Sequence, residues 1–255
     1  MCIKIDNLNY NCMVYEVKNV IFKESISVVI PLHNKELNIE NTIKSIVKYI
    51  TAPKLQIIIV ENESTDSSKN IAKEIVKKLQ SSVDISLYES KKGLGIALTK
   101  GFKHCKHEWI YFTPADFSFG NSDISYIERN DLYQKYDVFL GSKTHKDSVI
   151  DRSRSRKFYS YIFNTMLKVL FSIPFSDTQG TLIFKSNILE NISELNSKGF
   201  LITTEFVVKS FKRNKKILEI PIIDLGIDSV STVKPLRDGF KMLFNILKLR
   251  VNINR

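Results

Sequence analysis

Four short stretches carry polar residues and glycines that could line one ligand crevice. "PLHNKE" contains Pro31, His33 and Glu36, and "ENESTD" contains Glu61, Asn62, Ser64 and Asp66. "KKGLG" contains Lys92, Gly93 and Gly95, and "FTPADFS" contains Ala115, Asp116 and Ser118. Glu61, Asn62 and Asp66 suit hydrogen bonds to a base or ribose, the glycines let a backbone come close, and Asp116 suits a divalent cation. A set of cations complements them. Between Ser142 and Lys168 lie seven Lys or Arg against Asp147 and Asp151, a local charge of +5 that includes Lys143, Arg152, Arg154 and Arg156. Between Lys234 and Arg255 six Lys or Arg stand against Asp238, another +5, so the two stretches supply ten of the net +11. Such clusters suit nucleic acid, a phosphate-bearing substrate or an acidic membrane surface, and Arg grips phosphate with two hydrogen bonds at once.

The elements that must position these residues follow from the apolar pattern. Buried strands are expected at Ile26 to Pro31, Leu55 to Val60, Val83 to Tyr88 and Glu108 to Thr113. Between them lie helical patterns from about Glu36 to Ile50, after "STDSS" with Asp66 as cap, and from about Gly95 to His104. Strict strand-helix alternation predicts a mostly parallel, right-handed α/β sheet with helices on both faces. In such sheets ligands bind beyond the carboxyl ends of the strands, where all four stretches fall.

Composition narrows the chemistry further. At 255 residues, 43% hydrophobic, the chain can bury a sizeable core. Cys2, Cys12 and Cys105 form no CxxC pair, which disfavours disulfides and a zinc site and favours a reducing compartment. GxGxxG and GxxxxGK[ST] are both missing, which disfavours a dinucleotide fold or P-loop. His104, His107 and His145 lack metal-ligand spacing, whereas His33 lies in a strand-end loop where it can meet a nucleotide. The start, "MCIKIDNLNY", lacks the pattern of a signal peptide.

Taken in order, "VVIPLHNKELNI", "VENESTDSS", "KKGLGIALTKGF" and "FTPADFS" resemble the GT-A glycosyltransferases of family 2. They match that family's PxxNE-type loop, its DDGSTDGT-like loop, its glycine-bearing helix start and its DxD loop. "GSK", "RKFYSYIFN", "DTQGTLIFK", "TTEF" and "ILEIPI" are similar to later segments of its polyprenyl-phosphate mannosyl- and glucosyltransferases. The resemblance spans roughly Ile26 to Ser231.

That resemblance implies a nucleotide-diphosphate sugar donor, Mg²⁺ or Mn²⁺ on its diphosphate, and inverting transfer of a hexose to a lipid phosphate. Pro31, His33, Glu36, Glu61, Asn62, Ser64, Asp66, Lys92, Gly93 and Ala115 are the expected nucleotide contacts. Asp116, an expected catalytic residue with Arg156, takes the place of the second Asp of DxD; Asp116 and Ser118 are the expected metal ligands, and Pro114 replaces the first Asp. Lys143, Arg152, Arg154 and Arg156 are expected to hold the acceptor phosphate, Arg156 by its RxxxS spacing to Ser160. Glu205 is a candidate base for a hydroxyl acceptor, or a structural acid that orients a loop.

A phosphate acceptor is already ionised near neutral pH and needs cations more than a base. A glycan-hydroxyl transferase and a sugar-nucleotide binder without catalysis are the alternatives, and nucleic acid is disfavoured for want of a recognisable binding module. Residues 1–24 form an extension, 25–233 the catalytic domain and 234–255 a basic amphipathic helix. Phe240, Leu243, Phe244, Leu247 and Val251 share one face of that helix, which suits an anionic bilayer surface. The apolar run Phe158 to Phe175 carries Lys168 and Asn164 and ends at Pro174, too short to span a membrane. The expected location is therefore the cytoplasmic face of a membrane, as a peripheral protein or with a separate membrane subunit.

Overall fold

The computed structural model describes residues 19–150, 154–191, 195–225 and 244–251, apart from the side chains of Arg154, Arg156 and Asn191. β1 (Val20–Ile21) pairs with β3 (Ile50–Thr51) in a small parallel ribbon. The main sheet is built on β2 (Ile26–Leu32), β4 (Leu55–Glu61), β5 (Asp84–Glu89) and β6 (Trp109–Phe112). β7 (Val138–Ser142), β8 (Leu182–Lys185) and β9 (Ile217–Pro221) complete a seven-stranded order β5-β4-β2-β6-β8-β7-β9. β8 alone runs against its neighbours, antiparallel to β6 and β7; the other pairings are parallel. The expected mostly parallel α/β fold is therefore present, with one reversed strand that the alternating pattern did not foretell.

Both faces of the sheet are covered because its central strands carry apolar residues on both sides. Val28 and Ile30, Ile57 and Ile59, and Trp109 and Tyr111 point to one side, where α1 (Ile39–Tyr49), α2 (Ser68–Leu79) and α4 (Ser122–Arg129) pack. Val29, Ile58, Ile110 and Phe112 point to the other, against α3 (Leu94–Phe102), α5 (Arg154–Phe171) and α7 (Leu201–Lys212). α6 (Ile188–Asn191) and a helical segment at 244–251 join that second layer through Ile188, Ile246 and Leu249. Each fully buried Ile, Val or Leu contributes about 1.5–3 kcal/mol relative to exposure.

Two element starts differ from expectation for local reasons. α1 begins at Ile39 rather than near Glu36, because the Lys35 carbonyl accepts the N–H groups of both Asn38 and Ile39 and closes a turn first. Asp66 acts just ahead of the cap position: Ser67 is the N-cap of α2, while Asp66 Oδ1 accepts from the Ser68 N–H at 3.0 Å. Residues 1–18 and the stretch from Lys234 to Phe240 lie outside the described residues.

Candidate active site

The loops that leave β2 and β4 are tied into one rim. Asn34, at φ 50°, receives the Thr65 N–H on Oδ1 at 2.8 Å and donates its own N–H to Ser64 Oγ. Glu36 Oε2 accepts from the Ser67 N–H at 2.8 Å, and Asp66 Oδ2 accepts from the Glu36 N–H at 3.1 Å. Burial works against ionisation of Asp66, but hydrogen bonds from Ser68 and the Glu36 N–H outweigh it and hold the carboxyl below its usual range. Glu36, Ser64 and Asp66, expected as nucleotide contacts, are thus engaged in latching the two loops. Pro31 closes the rim from below as a β2 residue opposite Val60.

Glu61 and Asn62 are buried at the end of β4. A Glu61 oxygen caps the Ser64 N–H, and Asn62 Oδ1 accepts the Gly93 N–H at 2.8 Å. Gly93 adopts φ 140°, and a side chain on Gly95 would meet the Ser197 carbonyl at 1.8 Å. Only glycine fits under that strap. Lys92 stands exposed beside it, and His33 holds its Nδ1 buried without a hydrogen-bond partner at the same rim.

The loop after β6 is a succession of tight turns with Phe117 at φ 48° and Gly120 at φ 55°. The buried Ala115 is anchored there by Thr42 Oγ1, which donates to its carbonyl at 2.9 Å. Asp116, 7% exposed, receives the Ser118 N–H on Oδ1 at 3.2 Å and the Lys35 ammonium on Oδ2 at 2.8 Å. Asp116 and Ser118 therefore do meet. An expected Mg²⁺ or Mn²⁺ would meet a single carboxylate in this loop, with the Lys35 ammonium already on its Oδ2. Among the described residues there is no group of three or more His, Cys, Asp or Glu to hold a metal.

Beside Asp116 opens a pocket of about 310 Å³, lined by Pro114, Ser118, Lys143, Asn164, Asp177 and Gln179 among others. Lys143, at the end of β7, was expected to meet the acceptor. Its ammonium instead lies 2.8 Å from Asp177 Oδ2 and donates to the Gln179 carbonyl at 2.8 Å. Burial penalises the charged Asp177, yet Lys143 and backbone N–H groups more than offset this and keep its carboxyl below the usual range. Glu219 on β9 braces this turn by accepting from Ser176 and from the Asp177 N–H. Gln179 Nε2 is buried with no hydrogen-bond partner. α5 crosses above, with Ser160, Phe163 and Asn164 facing the pocket one turn and more after Arg156. Arg152 and the side chains of Arg154 and Arg156 lie outside the described residues.

Glu205 is not at this pocket. It is fully buried in α7, accepts the Asn196 and Ser197 N–H groups and pairs with the Lys209 ammonium at 2.6 Å. Of its two expected roles this geometry matches the structural one: both oxygens are occupied in holding the strap at 196–198 over Gly93 and Gly95. Asp177 and Gln179 at the pocket, and Lys35 on Asp116 beside it, are the groups that sequence reasoning missed. "DTQG" and "GSK" flagged the neighbourhood of two of them, and Lys35 lay unremarked inside "PLHNKE", on the acid position of the PxxNE-type loop.

The profile of "Glycosyl transferase family 2" matches residues 27–192. The chain belongs to that family. This family 2 glycosyltransferase is 28% identical over 242 residues to a dolichyl-phosphate beta-glucosyltransferase of Saccharomyces cerevisiae, covering 83% of this chain and 72% of the yeast protein. A dolichyl-phosphate beta-glucosyltransferase of Dictyostelium discoideum is 25% identical over 256 residues, covering 92% and 76%. In fold it is similar to glucosyl-3-phosphoglycerate synthase from Mycobacterium tuberculosis in complex with Mn²⁺, UDP and glucosyl-3-phosphoglycerate. That likeness has TM-score 0.64 at 15% identity and covers 90% of this chain and 80% of the other.

Proposed function

We propose that this glycosyltransferase moves a hexose from a UDP- or GDP-sugar to a polyprenyl phosphate at a membrane surface, with inversion. One observation carries the choice of acceptor. Both carboxylates that line the pocket, Asp116 and Asp177, are held by lysines, and Glu205 is buried elsewhere. No lining carboxylate among the described residues is left to act as a general base, which a hydroxyl acceptor would need and a phosphate does not. The two dolichyl-phosphate relatives point the same way.

The nucleoside lies along the rim of Glu61, Asn62 and Gly93. The hexose occupies the pocket next to Asp116. The acceptor phosphate enters beneath α5, whose opening residues Arg154 and Arg156 supply the cations, with Arg152 preceding them in sequence. One phosphate oxygen attacks the anomeric carbon on the face opposite the diphosphate, and the diphosphate leaves with the electron pair of the broken bond.

The acceptor's chain has an apolar surface to follow. Val169 is 74% exposed on α5 and Phe244 68% on the 244–251 helix, and an apolar groove between these elements is lined by Tyr161, Ile162, Met166 and Leu247 among others. Among the described residues no helix is long and apolar enough to cross a membrane. An interfacial attachment at an anionic leaflet suits this surface and the basic flanks.

The test is transfer of labelled hexose from UDP- and GDP-sugars into the organic phase, with polyprenyl phosphate or the matching free alcohol as acceptor. Label on the phosphate but not the alcohol is expected, and Arg156→Ala should lower it by about 100-fold or more, the scale of losing a phosphate clamp. Transfer to the alcohol or to a glycan hydroxyl, undiminished in Arg156→Ala, would overturn the lipid-phosphate reading.

A further inference from the structure

Lys35 stands where a sugar-nucleotide site needs positive charge, and nothing in the mechanism above has used it. Its ammonium is 2.8 Å from Asp116 Oδ2, with the lysine side chain 28% exposed and the aspartate 8%. The lysine is held at both ends. Its N–H donates to Ser68 Oγ at 2.7 Å, and its carbonyl accepts from Asn38 and Ile39 at the start of α1. The aspartate is held as well, by the Ser118 N–H and by the turn that Thr42 anchors through Ala115.

Two sequence positions complete the pattern. Pro114 occupies the place of the first carboxylate in the DxD-like loop, and Lys35, counted from Pro31, falls on the acid of the PxxNE-type loop. Two aspartates with a divalent cation sum to zero local charge, and so do Asp116 and Lys35. A divalent cation added here would meet a fixed ammonium a few ångströms away and only one carboxylate, already paired.

Building on the nucleotide-sugar reading, we propose that Lys35, oriented by Asp116, is the cation that binds the donor diphosphate, so that donor binding and transfer need no divalent metal. The step balances without one. The acceptor phosphate dianion forms the new bond to the anomeric carbon and becomes a diester of one negative charge. The departing nucleoside diphosphate takes the electron pair and gains one negative charge, which the Lys35 ammonium meets while keeping its protons throughout.

The test is calorimetric binding of UDP and of GDP to the full chain in EDTA, in Mg²⁺ and in Mn²⁺, for wild type, Lys35→Met and Lys35→Arg. For whichever nucleotide binds, the wild-type Kd is expected to agree within about threefold across the three conditions, and Lys35→Met to weaken binding in EDTA by about tenfold or more. Lys35→Arg should retain metal-free binding, which separates charge from mere folding. Wild-type affinity that falls tenfold in EDTA, or Lys35→Met binding as tightly as wild type in EDTA, would overturn the proposal while leaving the nucleotide-sugar reading intact. Should neither nucleotide bind under any condition, both readings fall together.

Discussion

At the scale of single residues, the site is governed by which charges are already neutralised. Asp116 and Asp177 each face a lysine, so the pocket presents paired charges rather than free bases. Asp123 is the contrasting case. It is fully buried on α4, takes hydrogen bonds from the Tyr111 hydroxyl and the Ile124 N–H on Oδ1, and leaves Oδ2 without a partner. Burial pushes its carboxyl from 3.8 up to about 6, which makes ionisation costly in the folded state. Because the folded value is raised, stability is fullest below 3.8 and falls as pH rises toward about 6. Asp123→Asn keeps an oxygen for Tyr111 and removes the charge. We expect it to stabilise the protein by about 2–3 kcal/mol at pH 7.5 and to change little at pH 4, read from urea unfolding at both values. A gain equal at both pH values would rule out this origin.

At the scale of elements, the nucleotide end of the site depends on a contact between α3 and a strap far along the chain. The Gly95 N–H donates to the Lys198 carbonyl at 3.0 Å, and Glu205 holds the strap from beneath. Burial raises the cost of charge on Glu205, but Lys209 and the strap N–H groups more than compensate and keep its carboxyl below its usual range. Glu205→Gln leaves the Lys209 charge buried with a weakened partner, with an expected loss of about 3 kcal/mol in unfolding free energy. Gly95→Ala pushes on the same strap from above, since its Cβ would overlap the Ser197 carbonyl. Both variants should weaken nucleotide binding, and a double variant should lose less than the sum of the two, because they disturb one strap. Fully additive losses would mean that the two contacts act separately.

At the scale of the whole molecule, the second face of the sheet does two jobs. Ile246 and Leu249 of the 244–251 helix are buried in the core, while Phe244, Leu247 and Val251 remain exposed alongside α5. The helix therefore packs on the protein by one side and offers the apolar stripe that the sequence pattern singled out. In flotation assays the protein should bind vesicles containing phosphatidylglycerol and bind neutral phosphatidylcholine vesicles more weakly, with salt reducing the difference. Replacing Val169 and Phe244 by Ser should lower partitioning by about tenfold or more, from the lost burial of two apolar side chains. Vesicle binding that is absent, or unchanged in that variant, would count against a membrane-facing role for this surface.

How far the sequence alone reaches follows from the range of the interactions involved. The parallel strands, the helices between them and the polar loops at their carboxyl ends were legible, because apolar period and turn chemistry act over a few neighbouring residues. Segments such as "VENESTDSS" and "FTPADFS" likewise placed Glu61, Asn62 and Asp116 at one edge of the sheet. What could not be read were pairings across distance. Lys35 on Asp116 spans 81 positions and Lys143 on Asp177 spans 34, and no local pattern records which ammonium reaches which carboxylate. Glu205 carried an acid in a suggestive motif, yet its role was decided by the burial of α7 and the strap above it. The reversed β8 was also a tertiary outcome, since a short apolar strand has the same composition in either direction. Sequence by itself determined the fold and the edge where the site lies; tertiary packing decided which of its charges are free, because a charge is neutralised by its neighbours in space.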